Sequence, residues 1–259
     1  MDEELYYQIE DSLDHQIIMH CAVHFSGNFE EMLKYYNSEN IGIQADFSLK
    51  RIQEIASLCK ETEGLVELLS DSEQKLIQTA KERYASLRAC YENTFQLPHL
   101  VADLILAEEE DPTKEIDSLV SYEKPKDVTK TLIELIIKED FYNPLFPGYG
   151  RAPILAIRSL GKLKAEESIS PLFETLGKHD FDIDEEIFSA LHAIGKKAKQ
   201  WLLKRLASLP ISHENQQAAL ALIRFEDEEV KEAFAAMLQK EETRKLPSFV
   251  DTLLIKWEN

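Results

Sequence analysis

Three histidines fall close together near the start of the chain, His15, His20 and His24. His20 and His24 are four apart, so on a helix both imidazoles share a face and could hold a metal ion. A metal needs a third ligand, which the neighbourhood does not supply, and a histidine near a helix C-terminus is already explained by the helix dipole. No metal site and no cofactor is therefore assigned. A second chemical feature is the basic ridge Lys196, Lys197, Lys199, Lys204 and Arg205, which could grip phosphate. A third is the stretch from Tyr142 to Pro153, where three prolines and two glycines forbid continuous helix. Its Phe146, Tyr149 and Arg151 are residue types favoured at binding hot spots. The plain alternative is that Phe146 and Tyr149 plug a gap between packed helices. There is no Gly-rich phosphate loop, and no nucleophile stands in a recognisable motif, so no catalytic residue is assigned and the chain is not read as an enzyme.

The elements that must position these residues come from an internal repeat. Glu115–Leu135 laid under Ala156–Leu176 without a gap pairs Ile116 with Ile157, Ser118 with Ser159, Leu119 with Leu160 and Tyr122 with Leu163. It also pairs Val128 with Ile169, Leu132 with Phe173 and Leu135 with Leu176, each pair 41 residues apart. A third copy begins at Leu191–Gly195, with Leu191 and Ile194 lying 34 residues after Ile157 and Leu160, and continues to Leu202 and Leu206. A fourth is Ala218–Leu238, 62 residues after Ala156–Leu176. Each copy reads as two short amphipathic helices, because Ile157 and Leu160, then Ile169, Leu172, Phe173 and Leu176, recur at three and four. Gly161 suits the end of the first helix, Glu166 and Glu167 suit the start of the second, and Pro171 is tolerated in a first turn. Units of this kind bury their stripes only by stacking, which predicts an all-α, superhelical solenoid.

The unit Ala156, Ile157, Leu160, Gly161, Lys162, Leu163, Glu166, Glu167, Ile169, Pro171, Leu172, Leu176 resembles the HEAT-like repeats, most closely the bacterial variety also found in phycobilin lyases. The resemblance covers roughly residues 112 to 240. It implies a scaffold that binds other proteins along a face lined by second helices. The candidate partner-binding residues are then Glu134, Lys138, Glu174, Lys178 and Lys204, with Phe146, Tyr149 and Arg151 of the loop. His213 and Glu214 ahead of Gln217–Leu220 resemble the His-Glu pair that deoxyhypusine hydroxylases repeat to bind two irons. The corresponding starts in other units carry Arg151, Ala152 and Asp184, Glu185, so that resemblance does not extend to a di-iron site.

Composition fits helices: eight glycines and nine prolines are few for 259 residues. The opening Met1, Asp2, Glu3, Glu4 is unlike a signal peptide and no apolar run reaches a membrane span, so a cytoplasmic protein with no membrane partner is expected. Cys21, Cys59 and Cys90 are odd in number and widely spaced, which reads as reduced thiols. Charge separates two regions. Residues 1–111 hold 23 acidic and 8 basic side chains, a net of −15, against 25 and 21, a net of −4, in 112–259, within a total of −19. That field repels nucleic acid and steers basic partners, which opposes a phosphate role for the ridge.

The acidic region, 1–111, reads as helices over 3–24 (stripe Leu5, Ile9, Leu13, Ile17, Cys21), 28–36 capped by Asn28, and about 46–60. A short helix capped by Thr62 follows, then a long one opened by Asp71 with Gln74 and lined by Leu76, Ala80, Tyr84, Leu87 and Tyr91, and one begun by Pro98. The run Glu108–Asp111 closes it, and the array with a C-terminal capping helix occupies 112–259. The leading expectation is a protein-binding scaffold or adaptor. The alternative is an immunity-type inhibitor whose acidic part occludes a basic, nuclease-like enzyme, and a metal-dependent hydroxylase ranks third.

Overall fold

The computed structural model describes residues 12–38, 42–58, 65–92, 96–107 and 112–255, with residues 91 and 92 described by backbone alone. Leu5, Ile9, Cys59, Thr62 and the run Glu108–Asp111 lie outside the described residues. Among those described, every regular element is helical, and no helix is long and apolar enough to cross a membrane. The chain forms two compact units, Met1–Glu115 with Glu139–Ala152, and Ile116–Lys138 with Pro153–Asn259. The Pro-rich stretch belongs with the first unit.

In the first unit, α1 (Ser12–His24) packs on α3 (Leu49–Leu58) and α4 (Asp71–Glu92), α2 (Phe29–Tyr36) packs on α3, and α4 on α5 (Leu97–Ile105). The core is Ile17, Ile18 and Cys21 of α1 with Met32, Ile52 and Ile55. Helix α1 ends where expected, at Ser26 and Gly27: both take positive φ, and the Gly27 N–H donates to the Cys21 carbonyl at 2.9 Å. Asn28 then caps α2 by accepting from the N–H groups of Glu30 and Glu31. Helix α4 opens one residue earlier than the Asp71–Gln74 spacing predicts, through a reciprocal pair: the Ser70 N–H donates to Glu73 at 2.8 Å and the Glu73 N–H to the Ser70 hydroxyl at 3.4 Å.

One polar contact ties α1 to α3. Asp14 is buried, and Arg51 grips it with two nitrogens, Nε donating to Oδ1 at 2.7 Å and Nη2 to Oδ2. A buried carboxylate is stable only when so paired, and the fork of the guanidinium matches its two oxygens.

The segment 139–152 completes this unit. After a 3-10 turn, Glu139–Tyr142, its Leu145 and Phe146 are buried with Ala80 of α4 against Met19, Val23 and Leu76. Phe146 is 1% exposed, and burying such a ring is worth about 1.5–3 kcal/mol. Gly148 has φ +85°, and a Cβ there would stand 2.5 Å from the carbonyl oxygen of Ile105, so the segment's close approach to α5 requires glycine on both counts.

The second unit is a series of helix pairs: α6 (Thr113–Val120) and α7 (Pro125–Ile137), then α8 (Ala152–Leu163) and α9 (Ile169–Thr175), with α10 (Phe181–Ile194) and α11 (Lys196–Leu206) after them. It ends with α12 (His213–Leu222), α13 (Glu228–Leu238), the single turn α14 (Glu241–Arg244) and α15 (Pro247–Leu254). Burial follows the repeat register: Ile116 and Ile157, Leu119 and Leu160, Val128 and Ile169, Leu132 and Phe173, Leu135 and Leu176 are all buried, as are Leu191, Leu202 and Leu206. Ser118 and Ser159 break it, the former exposed and the latter buried and bonded to Leu155 O. Helix α7 packs on α9, α10 on α11 and α12, and the terminal α15 on α12 and α13 with Phe249 and Leu253 buried.

Gly161 does not end α8 as its type suggests. It lies inside the helix, where an added Cβ would come 2.8 Å from the Cα of Ala190. Glycine is there so that α8 and α10 can approach closely. The helix ends instead on Lys164, held at φ +52°, with the Ala165 N–H donating to Leu160 O at 3.1 Å and the Lys164 N–H to Gly161 O at 3.0 Å.

The turn between α11 and α12 is organised by Asn215, which is fully buried. Its Nδ2 donates to the carbonyls of Leu206 and Ser208 at 2.9 Å and of Arg205 at 3.1 Å, and its Oδ1 accepts from the Ser212 N–H at 2.7 Å. One side chain thus satisfies the last carbonyls of α11 and the first turn of α12.

Candidate functional site

His20 and His24 do share a face of α1, with ring centroids 4.3 Å apart. Both are held as neutral groups in a mostly aromatic setting. His24 Nε2 lies 3.2 Å from the carbonyl of Pro144, which can only accept, so Nε2 carries the proton. Nδ1 must then accept from the Tyr84 hydroxyl at 3.1 Å. With both nitrogens engaged, His24 has no lone pair left for a metal. His20 Nε2 lies 3.3 Å from the Tyr36 hydroxyl, and its ring packs edge-on to Phe47 at 5.3 Å. Burial pushes His20 down to about 3, helped by the proximity of His24, and burial pushes His24 down to about 4 against the pull of the Pro144 carbonyl. Burial also raises the Cys21 thiol to about 12 and the Tyr36 hydroxyl to about 12. His15 is separate, its Nδ1 2.9 Å from Glu73.

Tyr149 closes the cluster, its ring stacked on His24 at 4.4 Å and 17°. The loop residue singled out for its type therefore lies against the histidines singled out for their spacing. Next to them opens a cavity of about 670 Å³, whose wall includes His20, Phe47, Tyr142, Tyr149, Leu76 and Leu145. Its size and largely apolar lining are those of a small-molecule pocket.

The other candidate residues fall elsewhere. Phe146 is a core residue and presents no surface to a partner. Arg151 is half-buried, its N–H bonded to Gly148 O at 2.8 Å. Glu134 of α7 and Lys138 just after it face solvent as a loose pair at 3.9 Å, Glu174 accepts from Ser170, and Lys178 and Lys204 are exposed. The basic ridge is partly neutralised from within: Lys199 binds Asp227 at 2.5 Å and Glu229 at 2.6 Å, and Arg205 pairs with Glu214. Asp227 also caps α13 by accepting from the Val230 N–H at 3.1 Å. Trp201 packs edge-on to Phe173 at 4.9 Å, a structural position. Glu214, half of the His-Glu pair, is occupied by Arg205. Among the described residues no group of three His, Cys, Asp or Glu side chains is arranged to hold a metal ion.

The spacing of His20 and His24 was visible in the sequence, but their partners Tyr36, Tyr84 and Pro144 were not. Pro144 is 120 residues from His24, and only the aromatic content of the loop hinted at it. Comparison with protein-family models, curated proteins and solved structures finds no match to this chain.

Proposed function

We propose that the second unit is a short HEAT-like array and that the protein works as a cytoplasmic, non-catalytic scaffold or adaptor, binding another protein through that unit. The observation that carries the reading is where its apolar surface lies. Ile137, Phe181 and Leu209 are 60%, 71% and 70% exposed, the highest values among the exposed large hydrophobic residues described. All three lie between successive helix pairs: Ile137 ends α7, Phe181 opens α10 and Leu209 lies in the turn after α11. Their recurrence in the connections between pairs favours a common surface over scattered exposure. Charged side chains of both signs, Glu134, Lys138, Lys178 and Lys204, accompany them, as in the polar rim of an interface.

The test is affinity capture with the full chain and with the triple variant I137S/F181S/L209S. The reading expects a partner enriched by the parent at moderate salt and lost by the variant, while the two melt alike. A partner retained by the variant contradicts it. One observation favours a second reading, the acidic inhibitor: the first unit holds 26 acidic and 10 basic residues, a net of −16 of the total −19. In that case capture depends on the first unit, and raising salt releases the partner.

A further inference from the structure

We propose that the cavity beside His20 is a binding site for an organic ammonium compound, a monocation carrying an aromatic or other apolar body. Its volume, about 670 Å³, accommodates a two-ring molecule with water to spare. The wall gives the rings: Phe47, Tyr142, Tyr149 and the imidazole of His20, with His20 5.3 Å from Phe47 and 5.9 Å from Tyr149.

Charge selects among ligands that would fit such a wall. Among the described residues, no lysine or arginine lines the cavity. Two described carboxylates, Asp46 and Glu139, stand exposed at its margin. The remaining ionisable groups stay neutral: burial and the nearby His24 keep the imidazole of His20 unprotonated, and burial and the nearby Glu139 push the Tyr142 hydroxyl up. Aromatic faces attract a desolvated cation, and two carboxylates at the mouth draw it in. The same arrangement turns away carboxylates and phosphates, which would lose their water with no cation to receive them. The pocket thus discriminates by charge more than by shape.

The experiment is calorimetric titration of the full chain with naphthylmethyl-trimethylammonium and, separately, with naphthaleneacetate, which presents the same rings with the opposite charge. The ammonium probe is expected to bind saturably at one site and the carboxylate probe not to bind. The variant D46K/E139K alters only exposed side chains, and its melting curve verifies the fold. It is expected to weaken the ammonium probe at least about tenfold, roughly the effect of one lost cation–π or ion contact. Phe47→Ala tests the rings independently and is expected to weaken the same probe. The proposal is overturned if naphthaleneacetate binds as tightly as the ammonium, if the ammonium shows no saturable binding, or if D46K/E139K leaves its affinity unchanged.

Discussion

The two units are built on different principles. The second is held by apolar stripes that recur with the repeat, so Leu119 and Leu160, or Leu132 and Phe173, do the same job one helix pair apart. The first has no such recurrence. Its apolar core of Ile17, Ile18 and Cys21 against Met32, Ile52 and Ile55 is supplemented by single, unlike contacts: the Asp14–Arg51 fork, the hydrogen bonds of His24 to Tyr84 and Pro144, and a segment that returns from beyond α7 to bury Phe146. Periodic burial spreads stabilisation over many equivalent residues. A unit whose core is supplemented by unique contacts concentrates part of it there, and in buried imidazoles it becomes sensitive to pH.

Several changes break or sharpen that contrast. The largest effect is expected from Leu160→Ala, which empties a fully buried site of the repeat and should cost about 2–5 kcal/mol in chemical denaturation. Asn215→Ala strips partners from the α11 carbonyls and the start of α12, where each buried unsatisfied group costs about 1–3 kcal/mol. Its loss should show as reduced amide protection around residues 206–215. Gly161→Ala sets a helix-propensity gain near 1 kcal/mol against the Ala190 clash; overpacking of about 1–3 kcal/mol should win, lowering the melting temperature.

Acidification acts on the first unit. The imidazoles of His20 and His24 sit well below the value of about 6.5 they regain on unfolding. Between pH 6.5 and their folded values the unfolded chain binds more protons, so stability is full above pH 6.5 and falls as pH drops. Each histidine contributes a slope of up to about 1.4 kcal/mol per pH unit. Denaturation followed through a first-unit probe should show this between pH 6.5 and 5, above the carboxylate range. Replacing both histidines by glutamine should flatten it. The smallest effect is a gain: Lys164→Gly relieves a left-handed residue at the end of α8 and should stabilise by about 1 kcal/mol or less, read as a higher melting temperature.

The legibility of the sequence followed the same division. The helix pairs, the Asn28 cap and the break at Ser26–Gly27 depend on local spacing or local turn chemistry, which the sequence carries on its face. Gly161 was misread because a glycine two residues before a helix end looks the same whether it serves the cap or a neighbouring helix; only Ala190 distinguishes them. Asn215 was missed because it resembles any polar residue in a first turn. The docking of 139–152 was beyond reach, since nothing periodic connects Pro144 to His24. Its aromatic residues marked it as consequential but did not say to which surface.

Segment 139–152 belongs energetically to the first unit despite lying in sequence between α7 and α8. Native-state hydrogen exchange across pH tests it directly. Protection factors for residues 145–149 are expected to fall together with those of α1 between pH 6.5 and 5, while those of Pro125–Ile137 and of Ala152–Leu163 hold. Exchange of 145–149 at the rate of an exposed loop, or in step with α7 and α8, would contradict it.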